Sequence, residues 1–403
     1  MAIFSACPPT AVTFTPTPCC KPNPRTSDTT RNPQQDYILI ATQYSYYSAK
    51  VRACLQYKRL PYTERASNFQ ALFQDVLPRT GEAKFPVVFC PDGELLNDSC
   101  DIVEALEQRH PERPLSPEDP VLKLACLLLE TLCDEFFIAP FIYYRWIPED
   151  TRQWALDMFQ TVIHSDLDDP ALREQSAGIS DIVAEGIQAK VRKLGQDRED
   201  VQALSRQLTH RILDAIEQRL NQQRFLLGKR PSLADVALMN GLFGHIYMDP
   251  CDAGEYLRRH CTKLSMWMMR MHAAAGEASD GQLDNDPQLA EFLAQLATPF
   301  AAMAQAVWQA VEKGISSTDS DTLPPSFGPL SVTIEGVEVS SASSPYVAWK
   351  LQRVMNAYRE LSFEDQQSAD TLLADTGFLP LLKTDAAWHL EKAGTAIRWV
   401  AKK

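Results

Sequence analysis

Short apolar runs separated by turn residues mark the chain between residues 36 and 111. A run rich in β-branched and aromatic residues at 37–42 predicts a buried strand, and helical spacing of apolar residues at 48–57 predicts a helix after it. The same patterns predict strands at 61–65, 85–90 and 94–96, and helices at 68–77 and 99–109. The predicted order of elements in this part is therefore βαβαββα.

From residue 118 onward, apolar residues recur at spacings of three and four, which is typical of amphipathic helices. Helices are predicted at 120–146, 150–164, 171–194, 199–223, 232–247, 253–273 and 287–314. A proline-rich segment at 110–117 separates this part from the strands before it. We therefore predict a mixed domain at 36–111, followed by an all-helical domain at 118–315.

A polar, proline-rich stretch at 316–329 ends the helical pattern. Alternating residues around Glu335-Gly336 then predict a β-hairpin, helices are predicted at 345–361 and 364–375, and a last strand at 396–400. The sequence thus predicts a small α+β extension at 330–403. The fold class predicted for the whole chain is α+β.

The formal net charge of the 403-residue chain is −13. A surface this acidic repels phosphate backbones, so nucleic acid is not expected as a partner. Apolar runs stay well short of the roughly 18 residues that a membrane-spanning helix needs, so no membrane partner is expected either.

The first 35 residues are rich in Pro, Thr and Ser and contain no acidic residue before Asp28. This composition predicts a disordered tail, and an organelle transit peptide is the alternative. The ten cysteines form no C-x-x-C pair and no histidines stand at zinc-like spacing, so no metal site is expected. Several cysteines lie in apolar stretches, as expected in a reducing compartment, and we predict a cytoplasmic protein.

Four segments at the ends of predicted elements stand out, of which the first three carry the candidate chemistry and the fourth is structural. They are Tyr44-Ser45-Tyr46-Tyr47 before the first helix, Phe85-Pro86 at the third strand, Asn97-Asp98-Ser99 before the third helix, and the stretch FLLGKRPSLADVAL at 225–238. In the last of these, Ser232 and Asp235 have the spacing of a capping box, which nucleates a helix. Replacing Asp235 by Ala is expected to cost about 1 kcal/mol or more.

Together these segments resemble the glutathione S-transferase family of the cytosolic type, over roughly residues 37–110 and 118–275. The resemblance implies a thioredoxin-like first domain, an all-helical second domain, glutathione as co-substrate and a homodimer. The implied reaction is conjugation of the glutathione thiolate to a small hydrophobic electrophile. The extension at 330–403 lies outside the resemblance.

The resemblance implies that the thiol partner lies in the junction before the first helix. Counting back from Lys50-Val51-Arg52, Ser45 occupies the position of the catalytic residue in members of the Ser and Cys type. A helix N-terminus stabilises a thiolate, and a hydroxyl donor there lowers the pKa of the thiol. Tyr44, Tyr46 and Tyr47 are rival donors, and the alternative is that Ser45 only caps the turn while the tyrosines pack.

The resemblance also implies the glutathione contacts. Phe85-Pro86 is expected to contain a cis bond that turns the backbone of Phe85 toward the cysteinyl part of glutathione. Ser99, at a helix start, is expected to bind the γ-glutamyl carboxylate, and Asp98 its ammonium. Plain helix capping by Asp98 and Ser99 is the competing interpretation, and both roles can hold together.

The electrophile pocket implied by the resemblance lies between the two domains. Tyr143 and Tyr144 are the candidates for it within an aromatic-rich stretch at 136–146. Two further functions stay open: a glutathione-dependent isomerase or dehalogenase using the same site, and a non-catalytic scaffold that binds partners through the extension.

Overall fold

A computed structural model describes residues 36–402, so the tail and targeting predictions for 1–35 lie outside the described residues. The first four strands, β1 (Tyr37–Ala41), β2 (Tyr62–Ala66), β3 (Val87–Phe89) and β4 (Leu95–Asn97), form one sheet in the order β2-β1-β3-β4. Strand β1 pairs in parallel with β2 and antiparallel with β3, and β3 pairs antiparallel with β4. Leu39 and Ile40 of the inner strand β1 are fully buried.

Three helices complete this domain, α1 (Ser48–Tyr57), α2 (Leu77–Thr80) and α3 (Ser99–Arg109), with a π-helical turn at Ala71–Val76 before α2. Helix α2 ends at Gly81, whose φ of +78° lies in the left-handed region that glycine tolerates. The order βαβαββα and the thioredoxin-like sheet confirm the fold predicted for the first domain.

The second domain is entirely helical in the described structure. Its helices are α4 (Pro120–Thr131), α5 (Ile138–Trp146), α6 (Glu149–Ile163), α7 (Pro170–Ser176), α8 (Ile179–Lys193), α9 (Glu199–Gln222), α10 (Leu233–Gly241), α11 (Asp252–His260), α12 (Thr262–His272), α13 (Leu289–Ala297) and α14 (Ala301–Ile315). Two π-helical turns, Leu132–Phe136 and Leu242–Tyr247, follow α4 and α10.

The π-helical turn Leu132–Phe136 divides the helix predicted at 120–146 into α4 and α5. Three more of the predicted helices are each broken once. The helix predicted at 171–194 divides at Gly178, where φ is +76°, and the helix predicted at 287–314 divides around Pro299, which has no N–H for the helical ladder. The helix predicted at 253–273 divides at Cys261. Apolar periodicity runs through all three breaks, which is why it did not reveal them.

The predicted capping box at the start of α10 is present, and Asp235 does more than cap. Its Oδ2 accepts hydrogen bonds from the N–H and the hydroxyl of Ser232 at 2.9 and 2.7 Å. Its Oδ1 accepts from the N–H of Leu226 and from Nε1 of Trp267, both at 2.9 Å. All four groups are buried, so Asp235 joins α10 to α12 and to the loop before it.

The extension begins with the predicted hairpin, β5 (Pro329–Ile334) and β6 (Val337–Ala342), with positive φ at Glu335 and Gly336 in its turn. Helices α15 (Pro345–Arg359), α16 (Phe363–Leu373) and α17 (Leu379–Leu382) follow. A second hairpin, β7 (Trp388–Ala393) and β8 (Ala396–Ala401), ends the described chain. The sequence predicted β8 but not its partner β7.

The extension packs directly on the other two domains. Helix α15 contacts α4 and α14, and one hydrophobic core extends from Tyr37 of β1 to Ile397 of β8. The part of the chain from Asp36 onward forms one compact unit. In the described part of the chain no helix is both long enough and apolar enough to span a membrane. The cysteines described there are free thiols and buried.

Candidate functional site

A cleft of about 790 Å³ lies where the three parts of the chain meet. The first domain contributes Phe85, Pro86, Asp98 and Ser99 to its wall, the helical domain contributes Glu135 and Lys190, and the extension contributes Tyr346 and Lys392. The four glutathione-contact residues predicted from the sequence are therefore brought together in one cleft.

The backbone at both ends of this wall has the predicted geometry. The Phe85–Pro86 peptide bond is cis and precedes β3. Asp98 stands immediately before α3 with a φ of +75°, and its Oδ1 accepts a hydrogen bond from the N–H of Cys100 at 2.9 Å. Asp98 thus caps α3, as the competing interpretation expected, and its role toward the γ-glutamyl ammonium stays a prediction.

The second oxygen of the Asp98 carboxylate is held by the extension. Oδ2 accepts a hydrogen bond from the Tyr346 hydroxyl at 2.7 Å and lies 2.9 Å from Nζ of Lys392. Burial acts to raise the pKa of Asp98, but the Lys392 ammonium and these hydrogen bonds outweigh it and lower the pKa. Asp98 is therefore a carboxylate with an ammonium already beside it.

Ser45 acts as a capping residue at the start of α1. Its Oγ accepts hydrogen bonds from the N–H groups of Tyr47 and Ser48 at 3.3 and 3.2 Å, and Ser45 is not part of the cleft wall. These are two of the N–H groups that a helix start leaves unpaired. The turn or capping role weighed for Ser45 is present, and its role toward a thiol stays a prediction.

Tyr44 and Tyr46 are packed into the helical domain. The hydroxyl of Tyr44 donates to the carbonyl of Met158, and that of Tyr46 donates to the carbonyl of Cys133, both at 2.7 Å. Both side chains are buried and neither lines the cleft. The structure therefore does not support Tyr44 or Tyr46 as thiol partners, because their hydroxyls point into the domain interface and are already engaged.

Tyr47 is the junction tyrosine that lines the cleft. Its hydroxyl makes a long hydrogen bond of 3.2 Å to the carbonyl of Asp134. Burial, together with the nearby carboxylates of Glu135, Asp134 and Asp98, raises the pKa of Tyr47 well above its usual value. Tyr47 therefore stays protonated and is a hydroxyl donor at the edge of the cleft.

Glu135 is a second cleft residue with unusual chemistry, and sequence reasoning missed it. Burial raises its pKa to about 7; Asp134 and Asp98 act in the same direction, while Lys350 and Lys190 oppose them. A carboxyl that titrates near neutral pH in a cleft is suited to accept or donate a proton. The sequence signal that could have indicated Glu135 is the presence of an acidic residue within the largely apolar helix predicted at 120–146.

The helical domain contacts the junction before α1, residues 44–47, and holds it in place. Arg145 pairs with Asp249 at 2.5 Å, and its Nη1 donates to the carbonyl of Tyr44 at 2.7 Å. A Cβ on Gly244 would lie 2.4 Å from the carbonyl oxygen of Ser45, so only glycine allows this approach. Buried contacts of Arg145, Gly244 and Asp249 therefore fix the position of the junction.

Behind the cleft lies the junction charge cluster, which we define as Lys50, Glu130, Asp134, Lys350 and Arg353. Nζ of Lys50 lies 2.7 and 2.8 Å from the carboxylates of Glu130 and Asp134, Nζ of Lys350 lies 2.7 Å from Asp134, and Arg353 lies 2.9 Å from Glu130. These residues come from α1, α4 and the turn after it, and α15. The junction charge cluster therefore ties all three parts of the chain together.

The thiol of Cys100 lies within this cluster. Cys100, Glu130 and Asp134 offer ligand atoms within 4.8 Å of one another, a spacing compatible with a metal ion. Nζ of Lys350 lies 2.5 Å from the Cys100 sulfur, and Nζ of Lys50 lies 3.4 Å from it. The ammonium groups of Lys50 and Lys350 therefore already supply positive charge beside these three ligand atoms.

Tyr143 and Tyr144, the predicted electrophile-pocket residues, lie elsewhere. Tyr143 accepts a hydrogen bond from Arg206 at 2.6 Å, and the two rings pack edge to face with centroids 4.9 Å apart. Both are buried in the helical domain and neither lines the cleft. The structure does not bring them to the predicted site, because that face of α5 packs against α9.

Tyr346 and Lys392 are the other cleft residues that sequence reasoning missed. They meet Asp98 across separations of 248 and 294 residues. No local pattern reports such a contact.

Comparison with known proteins found family matches in two parts of the chain. The family model for the glutathione S-transferase N-terminal domain matches residues 39–114, and the model for the C-terminal domain matches residues 179–274. No curated protein matches the chain significantly.

Solved structures similar to this chain include three bacterial proteins. They are FzlA from C. crescentus (19% identity over 59% of this chain and 87% of the other, TM-score 0.39), the beta-etherase LigF from Sphingobium sp. strain SYK-6 (21%, 59% and 96%, TM-score 0.40) and a glutathione S-transferase from Rhodospirillum rubrum F11 (17%, 62% and 96%, TM-score 0.41). Likenesses at these scores support no conclusion about substrate or reaction. The two domain matches, with the thioredoxin-like sheet and the helical domain after it, identify a glutathione S-transferase N-terminal domain at residues 39–114 and a glutathione S-transferase C-terminal domain at residues 179–274 of this chain.

Proposed function

We propose that this chain binds glutathione in the cleft and transfers its thiolate to a small hydrophobic electrophile. The observation that carries the proposal is the cleft itself. Phe85, Pro86, Asp98 and Ser99 share one wall of a space large enough for a tripeptide, beside the start of α1.

The proposed thiol partner is Tyr47. It lines the cleft at the N-terminal end of α1, and its hydroxyl has only a long bond to the Asp134 carbonyl. A thiolate sulfur is a stronger acceptor than that carbonyl, so the hydroxyl can turn toward it. The positive end of α1 adds to the same stabilisation.

The proposed proton acceptor is Glu135. When the thiol ionises, its S–H bond breaks and the proton passes to the Glu135 carboxylate, while Tyr47 donates a hydrogen bond to the sulfur. The thiolate electron pair then forms a C–S bond to the electrophile, and the leaving group departs with the electrons of its bond to carbon. A pKa of about 7 suits this transfer at neutral pH.

The test is conjugation of glutathione to an activated aryl chloride, measured with the full chain and three variants. Tyr47→Phe and Glu135→Gln are each expected to lower kcat/KM by roughly 10²-fold, the usual contribution of a positioned donor or base. Tyr143→Phe, a buried tyrosine away from the cleft, is the matched control and is expected to leave kcat/KM unchanged.

The pH profile separates the two roles. Because burial raises the pKa of Glu135 to about 7, the carboxyl is protonated at lower pH and cannot accept a proton. Wild-type kcat/KM is therefore expected to fall about tenfold per pH unit below 7, and Glu135→Gln to lose this inflection. An unchanged inflection in Glu135→Gln contradicts the assignment of the base.

The second candidate function is a non-catalytic scaffold. It is favoured by one observation: Tyr346 and Lys392 already engage the Asp98 carboxylate. Calorimetry decides between the two. Absence of glutathione binding by the wild-type chain refutes the enzymatic proposal, and binding with turnover in the conjugation assay refutes the scaffold.

A further inference from the structure

The extension places its own ammonium in a site built for one. Nζ of Lys392 lies 2.9 Å from Asp98 and 2.6 Å from Asp101, and it stands 5.5 and 5.1 Å from the ring centroids of Tyr346 and Trp349. The Lys392 side chain is only 6% exposed. Two carboxylates and two aromatic faces are the environment in which a protein binds a primary ammonium.

The Asp98 carboxylate has little acceptor capacity left for a ligand. A carboxylate offers about four lone-pair positions, and the N–H of Cys100, the Tyr346 hydroxyl and the Lys392 ammonium use three of them. The proposed function gives Asp98 the γ-glutamyl ammonium of glutathione. The two ammonium groups therefore compete for one carboxylate.

The position of Lys392 allows it to leave. It lies at the end of β7, and the adjoining turn residues Gly394 and Thr395 also line the cleft and are exposed. Hairpin β7–β8 is a sheet of only two strands, a unit that is marginally stable by itself. The strands on either side of this turn are anchored: Trp388 and Leu390 are buried. Ile397, the cross-strand partner of Lys392, is also buried, and its carbonyl accepts a hydrogen bond from the N–H of Leu323 at 2.8 Å. The tip, which we define as the Lys392 side chain and the turn at residues 393–395, can therefore move while the rest of the hairpin stays packed.

We propose that Lys392 is a built-in competitor for the ammonium of glutathione, and that binding requires the tip of hairpin β7–β8 to leave Asp98. This inference rests on the proposed function, since it assigns the γ-glutamyl end of the ligand to Asp98. Lys392 then determines ligand affinity, because the apparent affinity is the intrinsic affinity multiplied by the fraction of molecules with the tip released.

The experiment is calorimetric titration of glutathione into the full chain and two variants. Lys392→Met keeps the aliphatic stem over the aromatic rings and removes only the charge. Lys402→Met is the matched control, because Lys402 follows the same hairpin and pairs with Asp385 away from the cleft. We expect Lys392→Met to bind glutathione roughly tenfold more tightly than wild type, and Lys402→Met to bind like wild type.

Hydrogen exchange gives a second readout. Saturating wild type with glutathione is expected to speed amide exchange in the turn at residues 393–395, since the tip is released, while the same residues in ligand-free Lys392→Met already exchange faster. A gain in affinity cannot come from misfolding of the variant, so the expected result is informative even if Lys392→Met is less stable than wild type.

Three results overturn the inference, and they differ from one another. Weaker binding by Lys392→Met means that Lys392 is part of the glutathione site and not its competitor. Equal binding by all three proteins refutes the competition but leaves the proposed function standing. Absence of binding in all three proteins refutes both.

Discussion

Asp235 gives the sharpest test of how this fold is stabilised. The Asp235→Ala variant removes the acceptor of three N–H donors, those of Leu226, Ser232 and the Trp267 indole, each 2.9 Å from the carboxylate. All three lie in the core of the helical domain, and Asp235 itself has no exposed surface. A carboxylate shared by α10, α12 and the preceding loop has no neighbour that can replace it.

The magnitude follows from the donors left without a partner. A buried donor that loses its acceptor costs about 1–3 kcal/mol, so the three N–H donors set a range of about 3–9 kcal/mol. The Ser232 hydroxyl, the fourth donor to Asp235, can rotate toward another acceptor and is left out of this sum. Movement of the neighbouring side chains into the vacated space recovers part of this. We expect Asp235→Ala to lower the free energy of unfolding by about 4 kcal/mol.

The assay is urea denaturation followed by circular dichroism, with Asp119→Ala as the control. Asp119 caps α4 through one hydrogen bond to the N–H of Leu122 at 2.8 Å and is exposed, so its removal is expected to cost only about 1 kcal/mol. If Asp235→Ala loses no more stability than Asp119→Ala, the buried donors find other partners and the reasoning is wrong.

Two further variants test the contacts around the cleft. Gly244→Ala forces a methyl against the carbonyl of Ser45 and is expected to cost about 2 kcal/mol, while Gly276→Ala, with open space around it, costs far less; thermal melting compares them. Glu130→Gln leaves the three cations of the junction charge cluster facing one carboxylate and is expected to cost about 3–5 kcal/mol in urea denaturation. Burial opposes ionisation of Glu130, but Lys350 and its neighbours outweigh it and hold the pKa well below its usual value. This stabilisation is therefore present at neutral pH and lost in strong acid, so the gap between wild type and Glu130→Gln must narrow as the pH falls; a gap that widens contradicts the assignment.

The first domain could be predicted because its signals are local. Strands β1, β3 and β4 are short apolar runs beside turn residues, and α3 begins at Ser99 and ends at Arg109 as predicted. The capping box of Ser232 and Asp235 is local in the same sense, since the spacing of two residues along the chain determines it. The cis bond at Phe85–Pro86 was expected from the family resemblance.

The candidate site was only half predictable. Phe85, Pro86, Asp98 and Ser99 were found because their motifs stand at element ends, and the structure places them in one wall. The choice among the junction hydroxyls depends on which one faces the cleft, and that is decided by packing against the helical domain. Local sequence carries no record of that packing, so Tyr44, Tyr46 and Tyr47 were all weighed as donors, although only Tyr47 of the three lines the cleft.

Contacts made by the extension could not be predicted from the sequence for a related reason. The alternation in β7 breaks near its end, because Lys392 stands at an inward-facing position where a half-buried strand is usually apolar. Lys392 meets Asp98 only in the folded chain, because the two residues are 294 positions apart in the sequence. Long-range ion pairs of this kind have no signature in a single sequence.

The junction charge cluster has a practical consequence for anyone who shortens this chain. A version that stops after α14 keeps Glu130 and Asp134 but removes Lys350 and Arg353, so two carboxylates are left with the single ammonium of Lys50. The face of α4 that α15 covers is also exposed to solvent in such a chain. We therefore expect a chain that stops after α14 to be less stable than the full chain, because it keeps two buried carboxylates with one ammonium and leaves one face of α4 uncovered.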